Sequence, residues 1–410
     1  MEINGHPHGV IRLPSSKSYA HRALLAAGLA GDSRVDRIVW SKDTEATLGA
    51  LTALGATVTR KEDSATVGKP MDGGILSEID CGESGSTLRF LIPLAAALRG
   101  RTVFIGHGRL MERPLAPYEQ ALGRQLTFAR EGDRLTVTGR LTAGDFTLPG
   151  DVSSQFITGL LFALPLLEGD STLTLSSPLQ SAGYVDLTLQ VLHAYGIRVT
   201  HEDHTVFRVA GRQTYRPADY TVEGDFSGAA FFLVAGALGC EVECCGLNEH
   251  SAQGDRAILD FLRQAGATVG HGVHGGLTVT ADRLHGITAD VTDCPDLVPP
   301  LGALLTFCEG ESRLIGAGRL RIKESDRLAA VTAELSKLGA RIDEYEDHLV
   351  FHGVDRLHGG DCCAWNDHRI AMMVAIAALR ADGTVTIDDP TCVSKSYPLF
   401  WEDYKGDGSK

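Results

Sequence analysis

Six times along the chain a polar cluster opens a run of apolar and small residues. Each run stops at Gly or Ala-Gly, and a short β-branched stretch follows. The runs are SSKSYAHRALLAAGLAG (15–31), ESGSTLRFLIPLAAALRG (83–100), DVSSQFITGLLFALPLLEG (151–169), GDFSGAAFFLVAGALG (224–239), DCPDLVPPLGALLTFCEG (293–310) and NDHRIAMMVAIAALRADG (366–383). They start roughly every 70 residues, too long for a solenoid repeat and right for a whole supersecondary unit. Runs this apolar on every side predict helices buried all round. Their polar clusters fall at the N-termini, where orphan N–H groups and the macrodipole favour an anion.

A second, amphipathic pattern lies between these runs: TLGALTALGATVTRKEDSATVG (47–68), DLTLQVLHAYGIRVTHEDHTVFRVAG (186–211), DRAILDFLRQAGATVGHGVHGGLTVT (255–280), DRLAAVTAELSKLGARIDEYEDHLVFHG (326–353) and, more weakly, APYEQALGRQLTFAREGDRLTVTG (116–139). Leu recurs at i, i+3, i+4, i+7, as on one face of a helix. The Gly that closes each helix suits a left-handed C-terminal cap, and the two alternating runs after it predict a hairpin. Each unit therefore reads strand, buried helix, strand, amphipathic helix, hairpin (βαβαββ). Six units in 410 residues predict an α/β protein of two domains with three units each. QTYRPADYTVEGD (213–225) is the best candidate for a crossing between domains.

Composition narrows the function classes. An apolar content of 43% and a charged content of 22% are ordinary for a globular protein. No stretch reaches the ~18 uninterrupted apolar residues of a membrane span. MEINGHPHGVIRLP has neither signal nor transit character, so the chain is expected to begin near Met1 and to remain in the cytoplasm. Nine cysteines without CxxC spacing fit reduced, partly buried thiols. The net charge of −14 disfavours nucleic acid. In so acidic a chain an anion site must concentrate its cations, and the helix starts and connecting segments supply Lys17, Arg22, Arg89, Arg369, Arg113, Lys323, Arg327 and Lys395.

The clusters differ in their chemistry. SSKSYAHR puts Lys17 and Ser18 in a first helical turn and Arg22 one turn on, which alone could be a capped surface helix. GESGSTLR (82–89) offers the backbone N–H groups of Ser84, Gly85 and Ser86 to an anion, without the spacing of a nucleotide P-loop. VSSQF presents two hydroxyls and an amide, for a phosphate, a polyol or simply a cap. In RIKESDRL, Lys323 and Arg327 are read as i, i+4 on one helical face with Glu324 beside them. A carboxyl among cations stays ionised, so Glu324 would serve first as a base or proton relay. NDHR abuts a helix too apolar to be a solvated face. Asp296 in CPDLVP is either an N-cap or a base. HEDH (201–204) and HGVHGG (271–276) fall in hairpin turns, so no metal is expected.

The motifs PSSKSYAHRALL, CGESGSTLRF, RLMERPL, VSSQF, SAGYVD, VEGDFSGA, CPDLVP, RIKESDRL, WNDHRIAM and VSKSYP, in this order from about Ile11 to about Tyr404, closely resemble the 5-enolpyruvylshikimate-3-phosphate synthase family of enolpyruvyl transferases. The resemblance implies an inside-out α/β barrel of two domains, 1–14 plus 224–410 and 15–223. The chain would cross near 14–16 and 222–224, and the active site would lie in the cleft between domains. It implies transfer of the carboxyvinyl group of phosphoenolpyruvate to the 5-hydroxyl of shikimate-3-phosphate by addition and elimination, in aromatic amino-acid biosynthesis. No cofactor or metal is implied, a monomer is expected, and glyphosate is the implied inhibitor.

Carried over position by position, Lys17, Ser18, Arg22, Ser153, Ser154, Gln155, Ser181, Asp296 and Lys323 would hold shikimate-3-phosphate. Lys17, Gly85, Arg113, Gln155, Arg327, Arg369 and Lys395 would hold phosphoenolpyruvate. Asp296 would deprotonate the 5-hydroxyl. Glu324 would protonate the methylene, assisted by Lys17 and Lys323. Three positions depart from the family pattern. Glu83 stands where Asn is frequent, Ala182-Gly183 replaces Lys-Pro ahead of Tyr184, and Arg319 stands where some members place a substrate-binding Asn. The alternative enzyme is the fold-sharing transferase acting on UDP-N-acetylglucosamine, which has a Cys in the loop that here reads GHGRLMERPL (106–115) and an Asn after the Lys equivalent to Lys17. A non-catalytic anion-binding module is the alternative outside enzymes.

Overall fold

The computed structural model describes residues 1–74 and 78–406. The chain divides into two compact units, Met1–Ser16 with Glu223–Lys410, and Lys17–Val222.

Lys17–Val222 carries three four-stranded sheets. In each, two strands run parallel, with Tyr220 opposite Val35, Ile79 opposite Phe104 and Phe146 opposite Leu173. A hairpin then extends the sheet antiparallel, for example Ser64–Val67 with Val58–Arg60. A parallel neighbour requires a crossover of a dozen or more residues, and here the apolar runs supply it. Gly85–Leu98 joins Glu78–Asp80 to Arg101–Ile105, and Ser154–Ala163 joins Asp145–Leu148 to Ser171–Leu175. These two helices approach closely at Gly159, where a Cβ would stand 2.5 Å from the Arg89 carbonyl oxygen.

The other unit repeats the plan. Gly9–Arg12 lies parallel to Val242–Cys245, and Thr288–Asp290 lies parallel to Glu311–Ile315, each sheet again extended by a hairpin. Phe226–Ala237, Val298–Leu305 and His368–Ala377 are buried along their whole length. They form one apolar core with the strands around them. The first strands of two sheets are exchanged in sequence. Gly9–Arg12 precedes the helix Lys17–Ala30 but pairs with a strand after Phe226–Ala237, while Asp219–Thr221 precedes Phe226–Ala237 but pairs with Ser33–Asp36.

The amphipathic helices follow the predicted spacing. Arg327–Lys337 buries Arg327, Leu328, Ala330, Val331, Glu334 and Leu335, one stripe at helical period. Gly55, Gly196, Gly266 and Gly339, which close four such helices, have φ between 80° and 100°, the left-handed conformation that only Gly adopts without cost. In the weaker copy, Gly123 instead keeps right-handed geometry.

The sixth unit is abbreviated. Leu357–Cys362 and Ala381–Ile387 pair in parallel around His368–Ala377, but no hairpin follows among the described residues. The chain runs on into a turn at Pro390–Lys395 and the short helix Phe400–Lys405. Residues at the start of the chain occupy the antiparallel flank: Glu2 bridges Thr386, the Ile3 N–H donates to Val385 O at 2.9 Å, and the Ile387 N–H donates to Met1 O at 2.8 Å. Among the described residues no helix is long and apolar enough to cross a membrane.

Candidate active site

In Lys17–Val222 the functional side chains cluster at helix starts. Lys17, in the first turn of Lys17–Ala30, donates to Asp43 Oδ2 at 2.9 Å. Arg22, one turn on, is 2% exposed. It donates to Thr188 Oγ1 (2.8 Å), Ser18 O (2.7 Å), Tyr184 O (2.9 Å) and Thr158 Oγ1 (3.3 Å), and lies over the Phe90 ring. Burial pulls this guanidinium down to about 10. A buried cation held by hydroxyls and carbonyls, not by a carboxylate, keeps its charge for an incoming anion.

Ser84 caps the helix Gly85–Leu98 through Thr87 N at 3.2 Å. The Ser84 N–H, expected to face an anion, donates instead to Cys81 O at 2.9 Å. Gly85 lies against Arg113: a Cβ on Gly85 would stand 2.6 Å from Arg113 Nη1. The next helix start is tied to this one through Gln155, whose Oε1 accepts from Arg89 Nη1 at 2.6 Å and whose Nε2 donates to Ser86 Oγ at 3.0 Å. Ser153 caps that helix through Gln155 N at 3.4 Å, with Ser154 buried beside it. Ser181 is buried and left-handed, with φ 60°, a conformation that costs about 1–3 kcal/mol and gathers at functional sites. His21 is buried, its Nδ1 against Thr47 Oγ1 at 2.7 Å, and Thr47 continues to Thr87 at 2.7 Å. Burial first, then Lys17 and Arg22, pull its pKa well below the usual histidine value.

In the other unit Arg327, 1% exposed, joins three carboxylates. It donates to Asp296 Oδ1 at 2.7 Å, Glu324 Oε2 at 3.1 Å and Asp367 Oδ2 at 2.9 Å. Arg369 donates to the other Asp296 oxygen at 3.0 Å. Asp367 caps His368–Ala377 through the Arg369 N–H at 3.0 Å and accepts from Ser325 Oγ at 3.0 Å. Lys395, 5% exposed, donates to Asn366 O at 2.8 Å and Asn366 Oδ1 at 2.9 Å.

The charges set the ionisation of the group. Burial pushes Asp296 up, but Arg369, Arg327 and Lys323 together hold it well below the usual carboxylate range. Burial pulls Lys323 down to about 8 despite the attraction of Asp296 and Glu324. Asp255, bonded to the Ser227 hydroxyl and with Oδ1 buried and unpartnered, is pushed up to about 7 by burial and by Asp296.

Of the sequence-predicted residues, Asp296, Lys323, Glu324, Arg327, Arg369 and Lys395 lie in one unit, with Lys323 acting electrostatically on Asp296. Lys17, Ser18, Arg22, Gly85, Arg113, Ser153, Ser154, Gln155 and Ser181 lie in the other. One expectation is corrected. Lys323 and Arg327 do not share a helical face, because Asp326 caps the helix and Arg327 is its first residue; Lys323 is extended, just after the turn Gly318–Ile322. Asp296 sits inside the turn Pro295–Leu297, whose N-cap position is Cys294, and the helix Val298–Leu305 has Leu297 at its own, so Asp296 is not the N-cap of either. Arg319 donates to Thr292 O, and Tyr184 gives its carbonyl to Arg22.

Sequence reasoning missed Asp43, Asp255 and the role of Asp367. An Asp one residue before an apolar helical run is an N-cap signal, and it was available for Asp367. Asp43 and Asp255 acquire their settings from partners distant in sequence, with no local mark.

A sequence model of the EPSP synthase (3-phosphoshikimate 1-carboxyvinyltransferase) family matches residues 2–404. A 3-phosphoshikimate 1-carboxyvinyltransferase of Clostridium kluyveri is 43% identical across 98% of this chain and 95% of its own length. One from Clostridioides difficile is 42% identical across 97% and 94%. The solved EPSP synthase of Acinetobacter baumannii superposes with a TM-score of 0.80 at 26% identity, covering 98% of this chain and 96% of that one. The enolpyruvyl transferase NikO of Streptomyces tendae shares the fold at a TM-score of 0.80 and 20% identity, over 98% and 96%.

Proposed function

The chain belongs to the EPSP synthase family, and from that premise we propose that it transfers the carboxyvinyl group of phosphoenolpyruvate to the 5-hydroxyl of shikimate-3-phosphate, releasing phosphate. In this reading Lys17, Ser18, Arg22, Ser153, Ser154, Gln155, Ser181, Asp296 and Lys323 bind shikimate-3-phosphate. Lys17, Gly85, Arg113, Gln155, Arg327, Arg369 and Lys395 hold the phosphate and carboxylate of phosphoenolpyruvate. Exclusion of water from the bound substrates strengthens every charge contact to them.

The observation that carries the reading is the double grip of Arg327 and Arg369 on Asp296. So tightly paired a carboxylate is a weak base. An arriving phosphoenolpyruvate anion competes for both guanidinium groups. As they turn to it, Asp296 loses the charges that hold its proton affinity down, so the base is switched on by the second substrate. The 5-hydroxyl then gives its proton to Asp296 while its oxygen bonds to C2 of phosphoenolpyruvate. The C2–C3 π pair takes a proton at C3 from the Glu324 carboxyl, recharged in the closed site, with Lys17 and Lys323 balancing charge. The tetrahedral intermediate loses phosphate as a C3 proton returns to Glu324, regenerating the double bond. Positioned proton transfer of this kind contributes about 10²–10⁴-fold.

The same cradle would admit glyphosate in competition with phosphoenolpyruvate, and the chain would act as a cytoplasmic monomer. The test is phosphate release from phosphoenolpyruvate with and without shikimate-3-phosphate. Release that depends on shikimate-3-phosphate, with turnover in Glu324→Gln lowered ~10²-fold or more and substrate binding largely kept, is the expected result. Dependence on UDP-N-acetylglucosamine would favour the fold-sharing transferase, and binding without turnover would favour an anion-binding module.

A further inference from the structure

Arg327 and Glu334 lie seven residues apart on the helix Arg327–Lys337, two turns along the same buried stripe. Both grip the segment 363–367. Arg327 takes its end, Asp367. Glu334, fully buried, takes its start: Oε2 accepts the Cys363 N–H at 2.8 Å and Oε1 accepts the Trp365 indole N–H at 2.6 Å. Lys337 donates to both oxygens at 2.9 Å. Between the two grips, Trp365 and Asn366 are consecutive left-handed residues, φ 55° and 50°. Neither is Gly, so the turn is costly and persists only where its surroundings over-determine it. That conformation brings both Asn366 O and Asn366 Oδ1 to the Lys395 ammonium.

We propose that Glu334 is a positioning residue for phosphoenolpyruvate capture: by holding Cys363 and Trp365 it fixes the left-handed turn that aims Lys395 and presents Asp367 to Arg327. The proposal rests on the reading of Arg327, Arg369 and Lys395 as the phosphoenolpyruvate cradle. Glu334 itself is enclosed and satisfied by its own partners. Its effect reaches the substrate only through the turn, so loss of its second acceptor oxygen weakens phosphoenolpyruvate selectively. Glu334→Gln keeps the shape and one acceptor but sets an amide N–H₂ against a second donor, either the Trp365 indole or the Cys363 N–H. Trp365→Phe removes the indole donor while keeping an aromatic ring.

Steady-state kinetics with both substrates test this. Glu334→Gln is expected to raise the KM for phosphoenolpyruvate about tenfold, and Trp365→Phe about threefold, the scale of one buried hydrogen bond. The KM for shikimate-3-phosphate should stay within twofold in both. In the double variant the conflict with the indole is gone, so its KM for phosphoenolpyruvate should match Trp365→Phe alone, not the product of the two effects. A KM for phosphoenolpyruvate unchanged in Glu334→Gln, equal losses for both substrates, or a multiplicative double variant would each overturn the proposal. Should Glu334→Gln not fold, Trp365→Phe carries the test, and an unchanged KM for phosphoenolpyruvate overturns it. Lys395→Met separates the two levels. If it leaves phosphoenolpyruvate binding intact, the cradle reading has failed; if it weakens that binding while Glu334→Gln does not, only the role of Glu334 has failed.

Discussion

Arg327 Nε and Asp367 Oδ2, from residues forty positions apart, meet at 2.9 Å with neither side chain more than 2% exposed. Removing Asp367 takes from the buried Arg327 one of its three carboxylate partners, in a place water does not reach. Asp367→Ala also deletes the cap on His368–Ala377. It is expected to destabilise the unit by about 3–5 kcal/mol, read by urea unfolding. Combined with Arg327→Leu, the loss should be smaller than the sum of the two single losses. Additive losses in the double variant would mean that the two charges do not support one another.

How much of this was readable beforehand differs from residue to residue. The buried helices were legible because their apolar runs are long and their polar starts abrupt, and the glycine caps because left-handed backbone leaves few choices of residue. Asp296, Glu324 and Arg327 stood out as charges beside apolar runs. The helical pairing of Lys323 with Arg327 was misread, because Asp326 caps the helix one residue before Arg327 and a cap outweighs spacing. Asp255 and Glu334 could not be found locally. One sits on a short turn and the other looks like an ordinary helix Glu, and only tertiary packing buries them. The lack of a sixth hairpin among the described residues has the same kind of cause, since its place is filled by Met1–Ile3.

Lys323 gives a pH signature. Burial lowers its pKa from 10.5 to about 8, so in the unliganded protein its charge is lost as pH rises through about 8. kcat/KM should fall on that alkaline limb, and Lys323→Arg should move the limb upward by more than one pH unit. Bound anions favour the charged form, so the limb in kcat should lie above that in kcat/KM. The stability effect has the opposite sense. The unfolded chain keeps its proton up to 10.5, so the cost that this residue imposes on folding, full below pH 8, is relieved as pH rises from 8 to 10.5. A limb unchanged in Lys323→Arg would assign it to another group.

Gly85→Ala probes the phosphoenolpyruvate pocket by one methyl group. The new Cβ would stand 2.6 Å from Arg113 Nη1, closer than real contacts allow, so the guanidinium must move. The KM for phosphoenolpyruvate should rise several-fold, up to about tenfold for a loss of one charge-assisted hydrogen bond. Shikimate-3-phosphate should be little affected, and inhibition by glyphosate should weaken more than substrate binding. Inhibition constants measured beside both KM values decide it. Equal loss for glyphosate and phosphoenolpyruvate would place the methyl outside the discriminating part of the pocket.

His21 should impose an acid limit on stability. Its pKa is depressed by burial and by Lys17 and Arg22, so the folded protein keeps it neutral while the unfolded chain takes up a proton below its ordinary value of 6.5. Stability falls as pH drops below that point. His21→Asn removes the proton uptake, so the melting temperature of the variant relative to the parent should improve progressively from pH 7 to pH 5. A difference that stays constant over that range would show that His21 titrates alike in both states.

The pairing of Met1–Ile3 with Val385–Ile387 has a bearing on how the polypeptide matures. Lys17–Val222 is continuous in sequence, and the strands of its three sheets all lie within it. Residues 1–16 belong to the other unit: Gly9–Arg12 pairs with Val242–Cys245, whereas Met1–Ile3 must wait through the synthesis of more than three hundred others before Val385–Ile387 exists. Assembly is thereby ordered in time: the sheet of the sixth unit gains its antiparallel flank only once Val385–Ile387 has been made, from a segment synthesised more than three hundred residues earlier.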